Sequence, residues 1–361
     1  MDKDKEAIPP EVINYFLRKR TEAEMLRRAG ILIPMVNPVH FAGGKIWAFG
    51  NRVYKSPNLN ETFHEFLVGV LKQTLGQEWI AQQYALPEDQ RHFIALCLNK
   101  AADWMIRNAK ETNRIEPGRP MMAVPDGYMK SLLVLAWDVC SVLHFSKLPE
   151  ELLTRLKSKD KYQGARYEIA IAAIFARLDF EVKWTGKNKE MKRCEFIAIH
   201  NKNGYSIAVE AKSKHRSGVI HQSGEKEDTP SMMKRIFREA LDQNPKDTPF
   251  AVFIDVNLPP TPQVTHMEKV WVQEAKRIVE KRLKGLDPGD YPLSAAFFTN
   301  FSYHYQSEKE AEQAESMSII IPHPKFPPPD EELFSMIHGA LTHYGFVPPT
   351  DIEEKLTLSV S

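Results

Sequence analysis

The sequence predicts an α/β protein with a mixed-sheet core flanked by helices, preceded by a mostly helical segment. Three observations predict it. After residue 158, short apolar runs of strand character alternate with longer amphipathic runs, the pattern of a layered α/β domain. Two of the short runs, residues 194–200 and 205–212, are joined by Asn201-Lys202-Asn203-Gly204. Asn-Gly between apolar runs is the strongest local signal for a β-hairpin. Before residue 158, long stretches of helical periodicity are interrupted by only one strand-like run. A chain of 361 residues is long enough for two domains, and 43% apolar with 26% charged residues fits a globular protein. The expected division is a mostly helical N-terminal domain over residues 1–158 and an α/β domain over 159–325. Residues 326–361 follow as a Pro-rich connector, a helix and a tail.

In chain order, residues 10–28 read as a charged amphipathic helix ending at Gly30. Residues 39–56 are strand-like and Gly-rich, a small hairpin. Gly43-Gly44 lacks the spacing of a phosphate-binding loop and reads as a turn. Helices are expected over 59–76, 87–110 and 127–145, the second opening with Pro87 and acids in its first turn. His64, His92 and His144 read as ordinary surface or core histidines. Trp79, Trp104 and Trp137 lie at helical positions and read as core. Residues 148–161 form a charged helix or linker, where the domain boundary is placed. Strands are expected over 180–185, 194–200, 205–212, 249–256, 294–303 and 317–322, with helices over 166–178, 232–243, 266–283 and 331–344. The polar segment 213–230 reads as a loop, and its His215 and His221 as solvated loop histidines. Asp255, at a strand end, reads as a turn aspartate.

The chemistry concentrates between Tyr167 and Arg216. The leading helix is apolar nearly all round, so it belongs in a core. Glu168 is its only charge between Tyr167 and Ala176. Such a carboxylate is paired, bound to a metal, or near enough to the helix N-terminus to reach water. If Asn203 and Gly204 are the central turn residues, Glu195 faces Lys212 and Ile197 faces Glu210. Side chains alternate along a strand, so Glu195, Glu210 and Lys212 then emerge on one face. A solvated face with cross-strand ion pairs has the same letters. The run Ile207, Ala208, Val209, Ala211 argues instead for burial on both faces, where charges are costly.

An acid in a leading helix, an acid on the second strand and Glu-x-Lys on the third resemble the PD-(D/E)xK nucleases, the restriction-endonuclease-like superfamily. The matching residues are Glu168, Glu195 and Glu210-Ala211-Lys212, within about one seventh of the chain. Where that family usually has Asp after Pro, this chain has Glu195 after Cys194. The resemblance implies a restriction-endonuclease-like sheet and metal-dependent hydrolysis of phosphodiester bonds, of DNA above all, as in restriction or phage defence. It implies Mg2+ or Mn2+ held by Glu195, Glu210 and the main-chain carbonyl of Ala211, with Glu168 in support. It implies that Lys212 acts on the attacking water or on transition-state charge. A nuclease fold that only binds nucleic acid or acts as a scaffold is the alternative.

Net charge is +1, so no global basic signature marks a nucleic-acid partner. Residues 181–216 differ, with nine Lys/Arg against four Glu, a local charge of +5. Lys189, Lys192, Arg193, Lys214 and Arg216 are the expected phosphate contacts. Double-strand cleavage needs two sites, which would fit a homodimer. Cys97, Cys140 and Cys194 are far apart and form neither a zinc spacing nor a disulfide framework. The charged N-terminus is not a signal peptide, and the longest apolar run carries Asp138, so no membrane span and a cytoplasmic location are expected.

Overall fold

The computed structural model describes residues 38–41, 44–49, 52–111, 123–186, 194–213, 229–326 and 331–347. Three short strands come first: β1 (Pro38–Phe41), β2 (Gly44–Phe49) and β3 (Arg52–Ser56), an antiparallel meander. It docks through Trp47, whose ring stacks on Phe66 at 4.5 Å. Phe66 belongs to α1 (Phe63–Leu75), which Thr62 starts by a capping box with Glu65. Then come α2 (Gln77–Tyr84), α3 (Phe93–Glu111), α4 (Gly127–Phe145) and α5 (Glu150–Leu156).

The helix expected over 87–110 is therefore two pieces. Glu88–Gln90 is a separate 3-10 turn, and α3 starts only at Phe93. His92 sits at the break and accepts from the Ile94 amide. The helix α2 was not expected; with a single buried residue, Ile80, its apolar face is too sparse to read. The central helix α4 is long and apolar enough to cross a membrane by composition, yet most of it is buried inside this protein. Its Asp138 is paired with Arg177 at 2.8 Å and accepts from the Tyr344 hydroxyl at 2.5 Å.

The second half is a six-stranded sheet in the order β4-β5-β6-β7-β8-β9. Its strands are β4 (Phe180–Trp184), β5 (Phe196–His200), β6 (Ser206–Ser213), β7 (Phe250–Asp255), β8 (Ala295–Asn300) and β9 (Glu315–Ile320). The pairs β6–β7 and β7–β8 are parallel and the other three antiparallel. The parallel crossovers run through α7 (Thr229–Leu241) and α8 (Val270–Leu283). Strand alternation divides the core cleanly. Ile207, Val209, Ala211, Ala251, Phe253 and Phe297 pack with α4 and with α6 (Tyr162–Arg177). Ala208, Val252, Ile254, Ala296 and Phe298 pack with α7 and α8 on the other face. The result is a helix–sheet–helix α/β sandwich, as residues 159–325 led one to expect in class.

The N-terminal helices share their core with this sheet. A single cluster of buried side chains runs from Phe63 through Leu152, Leu156 and Tyr162 to Phe297 and Tyr344. Of the two options for 148–161, a charged helix or a linker, the helix is observed: α5 buries Leu152 and Leu156 in the shared core. The last helix, α9 (Glu331–Thr342), joins the same core through Leu333, Ile337 and Leu341. The helix expected over 10–28 and most of the loop at 213–230 lie outside the described residues.

The hairpin register differs from the expected one. Ile197 faces Ala208 rather than Glu210, a shift of two residues. The loop is four residues, not two: His200 N donates to Tyr205 O at 2.8 Å, enclosing Asn201 to Gly204. Two side chains explain it. Asn201 is tied to Asp179, through its amide nitrogen to Asp179 O and through Nδ2 to Asp179 Oδ1. Asn203 Oδ1 accepts from the Tyr205 amide, an Asx turn, and Gly204 takes the left-handed conformation at φ 69°. A shift of two preserves the faces, because the side-chain period is two.

Candidate active site

The site is built at the end of β6. Glu210 and Lys212 lie two residues apart on that strand and point the same way. Glu195 sits at the bend just before β5. Its backbone is held from both sides: Thr185 N donates to Glu195 O at 3.2 Å, and Glu195 N donates to Val209 O at 3.0 Å. Lys212 Nζ stands between the two acids, 2.5 Å from Glu210 Oε1 and 3.5 Å from Glu195 Oε1. The expected Glu195–Lys212 proximity is thus present, although the directly opposed residues differ.

Glu168 enters from the first half of α6. It is 5% exposed, so it does not reach water at the helix end. Arg155 of α5 grips it as a fork: Nη1 donates to Oε1 at 2.7 Å and Nη2 to Oε2. Sequence reading missed this arginine. It lies in a run read as a charged helix or linker, and only the packing of α5 against α6 aims it inward.

The electrostatics are those of a group too dense in acid. Burial pushes the Glu210 carboxyl up to about 8; Lys212 opposes the rise, and Glu195 and Glu168 add to it. Burial likewise pushes Glu168 up to about 7 against the pull of Arg155, with Glu195 raising it further. Burial alone would lower Lys212, but Glu210, Glu195 and Glu168 outweigh it and hold the ammonium above its ordinary range. Glu210 is completely buried, yet among the described residues neither of its oxygens accepts a well-aligned hydrogen bond. A buried carboxylate in that condition costs free energy unless something else engages it.

A hard divalent cation is what the family resemblance implies here. The donor chemistry fits: carboxylate oxygens of Glu195, Glu210 and Glu168, with the under-satisfied Glu210 at the centre. The present arrangement is closed around the two cations instead. Among the described residues, no three His, Cys, Asp or Glu side chains are arranged to hold a metal. Lys212 occupies the space between Glu195 and Glu210, and Arg155 takes both oxygens of Glu168.

A second polar group lies beside the first, also at the C-terminal ends of the parallel strands. Asp255, at the end of β7, is fully buried and not the turn aspartate the sequence suggested. Its Oδ2 accepts from Arg166 Nη2 at 3.1 Å and from Ser213 Oγ at 3.2 Å. Its Oδ1 accepts from the amides of Phe301 and Asn257. Arg166 Nη1 donates to the Tyr303 hydroxyl at 3.0 Å, and Tyr167 bonds Thr299 at 2.9 Å. The signal for Arg166 was present in the sequence: a charge two residues before Glu168 in a mostly apolar helix.

The expected phosphate contacts Lys189, Lys192, Arg193, Lys214 and Arg216 lie outside the described residues. His64 and His144 sit on helices of the N-terminal half, and His92 is buried there, its ring pushed down to about 4 by burial. No family model, curated protein or solved structure matches the chain.

Proposed function

We propose that this chain is a metal-dependent nuclease with a restriction-endonuclease-like core, cleaving phosphodiester bonds of DNA. One observation carries the reading. Glu168, Glu195, Glu210 and Lys212, from three separate elements, gather where Glu210 is buried without a sound hydrogen bond. Glu195, Glu210 and the Ala211 carbonyl would hold Mg2+ or Mn2+, with Glu168 in support. Such a cation, when bound, supplies Lewis acidity toward the phosphate and its attacking water. Lys212 holds its proton firmly at Nζ, since three acids favour its charged form. It therefore serves as a hydrogen-bond donor that orients water or balances charge building on phosphate oxygens, more than as a base. Ala208, Val252 and Ile254, buried on the same sheet face as Glu210, exclude water and strengthen each of these interactions.

A second reading is a nucleic-acid-binding module of the same fold without catalysis. It is favoured by the closed pairing of Lys212 and Arg155 with all three acids. Incubation with supercoiled plasmid, single-stranded DNA and RNA, each with EDTA, Mg2+ or Mn2+, separates the two. The nuclease reading expects cleavage that EDTA abolishes. Absence of cleavage on every polynucleotide with both metals sinks it, and salt-sensitive binding without cleavage leaves the module.

A further inference from the structure

The nuclease reading uses the acids and Lys212 but leaves one buried contact unused. Arg155 reaches across from α5, outside the strand-and-helix motif, and makes a two-pronged contact with Glu168. Its guanidinium is mostly sheltered, and its Nε is buried with no hydrogen-bond partner among the described residues. Burial works against its charge, but Glu168 and then Glu195 offset that, and the group is held more firmly protonated than usual. The helix carrying it is anchored by Leu152 and Leu156 in the shared core, so the arginine is delivered by a rigid element.

Charge arithmetic says what such an arginine does. Among the described residues, and with each carboxyl ionised as a bound cation requires, three carboxylates face two cations, a net charge of −1. A bound divalent ion makes the site +1, complementary to the single negative charge of a phosphodiester. Without Arg155 the loaded site is neutral, and the empty site, at −2, is a stronger trap for a cation. A planar fork that fits a carboxylate fits a phosphate equally well. We propose that Arg155 is a positioning residue of this site, fixing Glu168 and supplying the positive charge that makes the metal-loaded site attractive to a nucleic-acid phosphate. This rests on the nuclease reading.

The test compares the full-length chain with Arg155→Gln and Arg155→Lys. Three readouts are taken: calorimetry with Mg2+ alone, binding of a DNA duplex with Ca2+ in place of Mg2+, and thermal melting. The expected result is opposite movement. Arg155→Gln binds Mg2+ severalfold more tightly and the duplex about tenfold more weakly, the scale of one lost charge-assisted contact. Arg155→Lys, which keeps the charge, restores both toward the parent values. Unchanged Mg2+ and duplex affinity in Arg155→Gln overturns the inference. So does a parallel loss of melting temperature, Mg2+ binding and duplex binding in both variants, the behaviour of an arginine that only props up the fold. If the unaltered chain shows neither Mg2+ heat nor cleavage, the nuclease reading itself has failed, and this inference with it. If it shows both while Arg155→Gln matches it, only Arg155 has been misassigned.

Discussion

Two buried charge clusters sit side by side at the carboxyl ends of the parallel strands, and both draw on α6. Arg166 supplies one and Glu168, two residues on, the other. Around Asp255 the count closes: a single acid accepts from a guanidinium, a hydroxyl and two backbone amides. Around Glu210 it does not close. Among the described residues three acids share two cations, and the most buried of them accepts no sound hydrogen bond. Burial raises the acids in both places. The difference is in what meets them. Asp255 is met by fixed donors, as a structural joint between α6, β6 and β7 requires. Glu210 is met by the end of a single long lysine side chain shared with Glu195.

The largest effects should come from breaking each cluster at its centre. Asp255→Ala strands the Arg166 guanidinium in the core, and loss of one partner of a buried pair typically costs about 3–5 kcal/mol. Denaturant titration should show that loss, and cleavage rate per folded molecule should change far less. A loss under about 1 kcal/mol would mean that this cluster is not the structural one.

Next is Lys212→Ala. It should fold, retain or slightly improve Mg2+ affinity, and cut about 10²- to 10³-fold more slowly, roughly 3–4 kcal/mol of transition-state stabilisation. Glu210→Ala should instead lose Mg2+ affinity and cleavage together. Calorimetry and single-turnover assays on the pair decide it: a Lys212→Ala rate equal to the parent's removes the Glu-x-Lys assignment.

The smallest expected effect is on stability against pH. Glu210 is pushed up to about 8 and Glu168 to about 7, from the usual 4.5. Between those values the folded protein holds protons that the unfolded chain has released. Stability of the metal-free protein should therefore fall as pH rises from about 5 to about 8. Glu210→Gln should flatten part of that fall and melt higher than the parent at the alkaline end. A flat parent profile would put the Glu210 carboxylate in a better-solvated place than its burial indicates.

Much of this was readable without a fold, for local reasons. Glu168, Glu195, Glu210 and Lys212 stand out because each interrupts an apolar run, and an uncompensated charge in such a run signals use. The shared face of Glu210 and Lys212 follows from strand parity alone. Parity also rescued the Glu195 placement: the loop proved two residues longer than the Asn-Gly signal suggested, and an even shift leaves faces unchanged. What the local pattern lacked was any account of Asn201. Its bonds to Asp179, just before the neighbouring strand β4, act with the Asx turn at Asn203 to set the register.

Sequence by itself determined the alternation of strands and helices, the apolar character of α6 and the identity of the acid–lysine set, since these depend on spacings of two to four residues. Only the tertiary structure decided that the N-terminal helices share a core with the sheet, that Arg155 clamps Glu168, and that Asp255 belongs to Arg166 rather than to the site. Those facts depend on partners brought together from 13 to 89 residues apart. A charge in a sequence announces that it needs a partner; which partner it receives is fixed only when helices and strands pack.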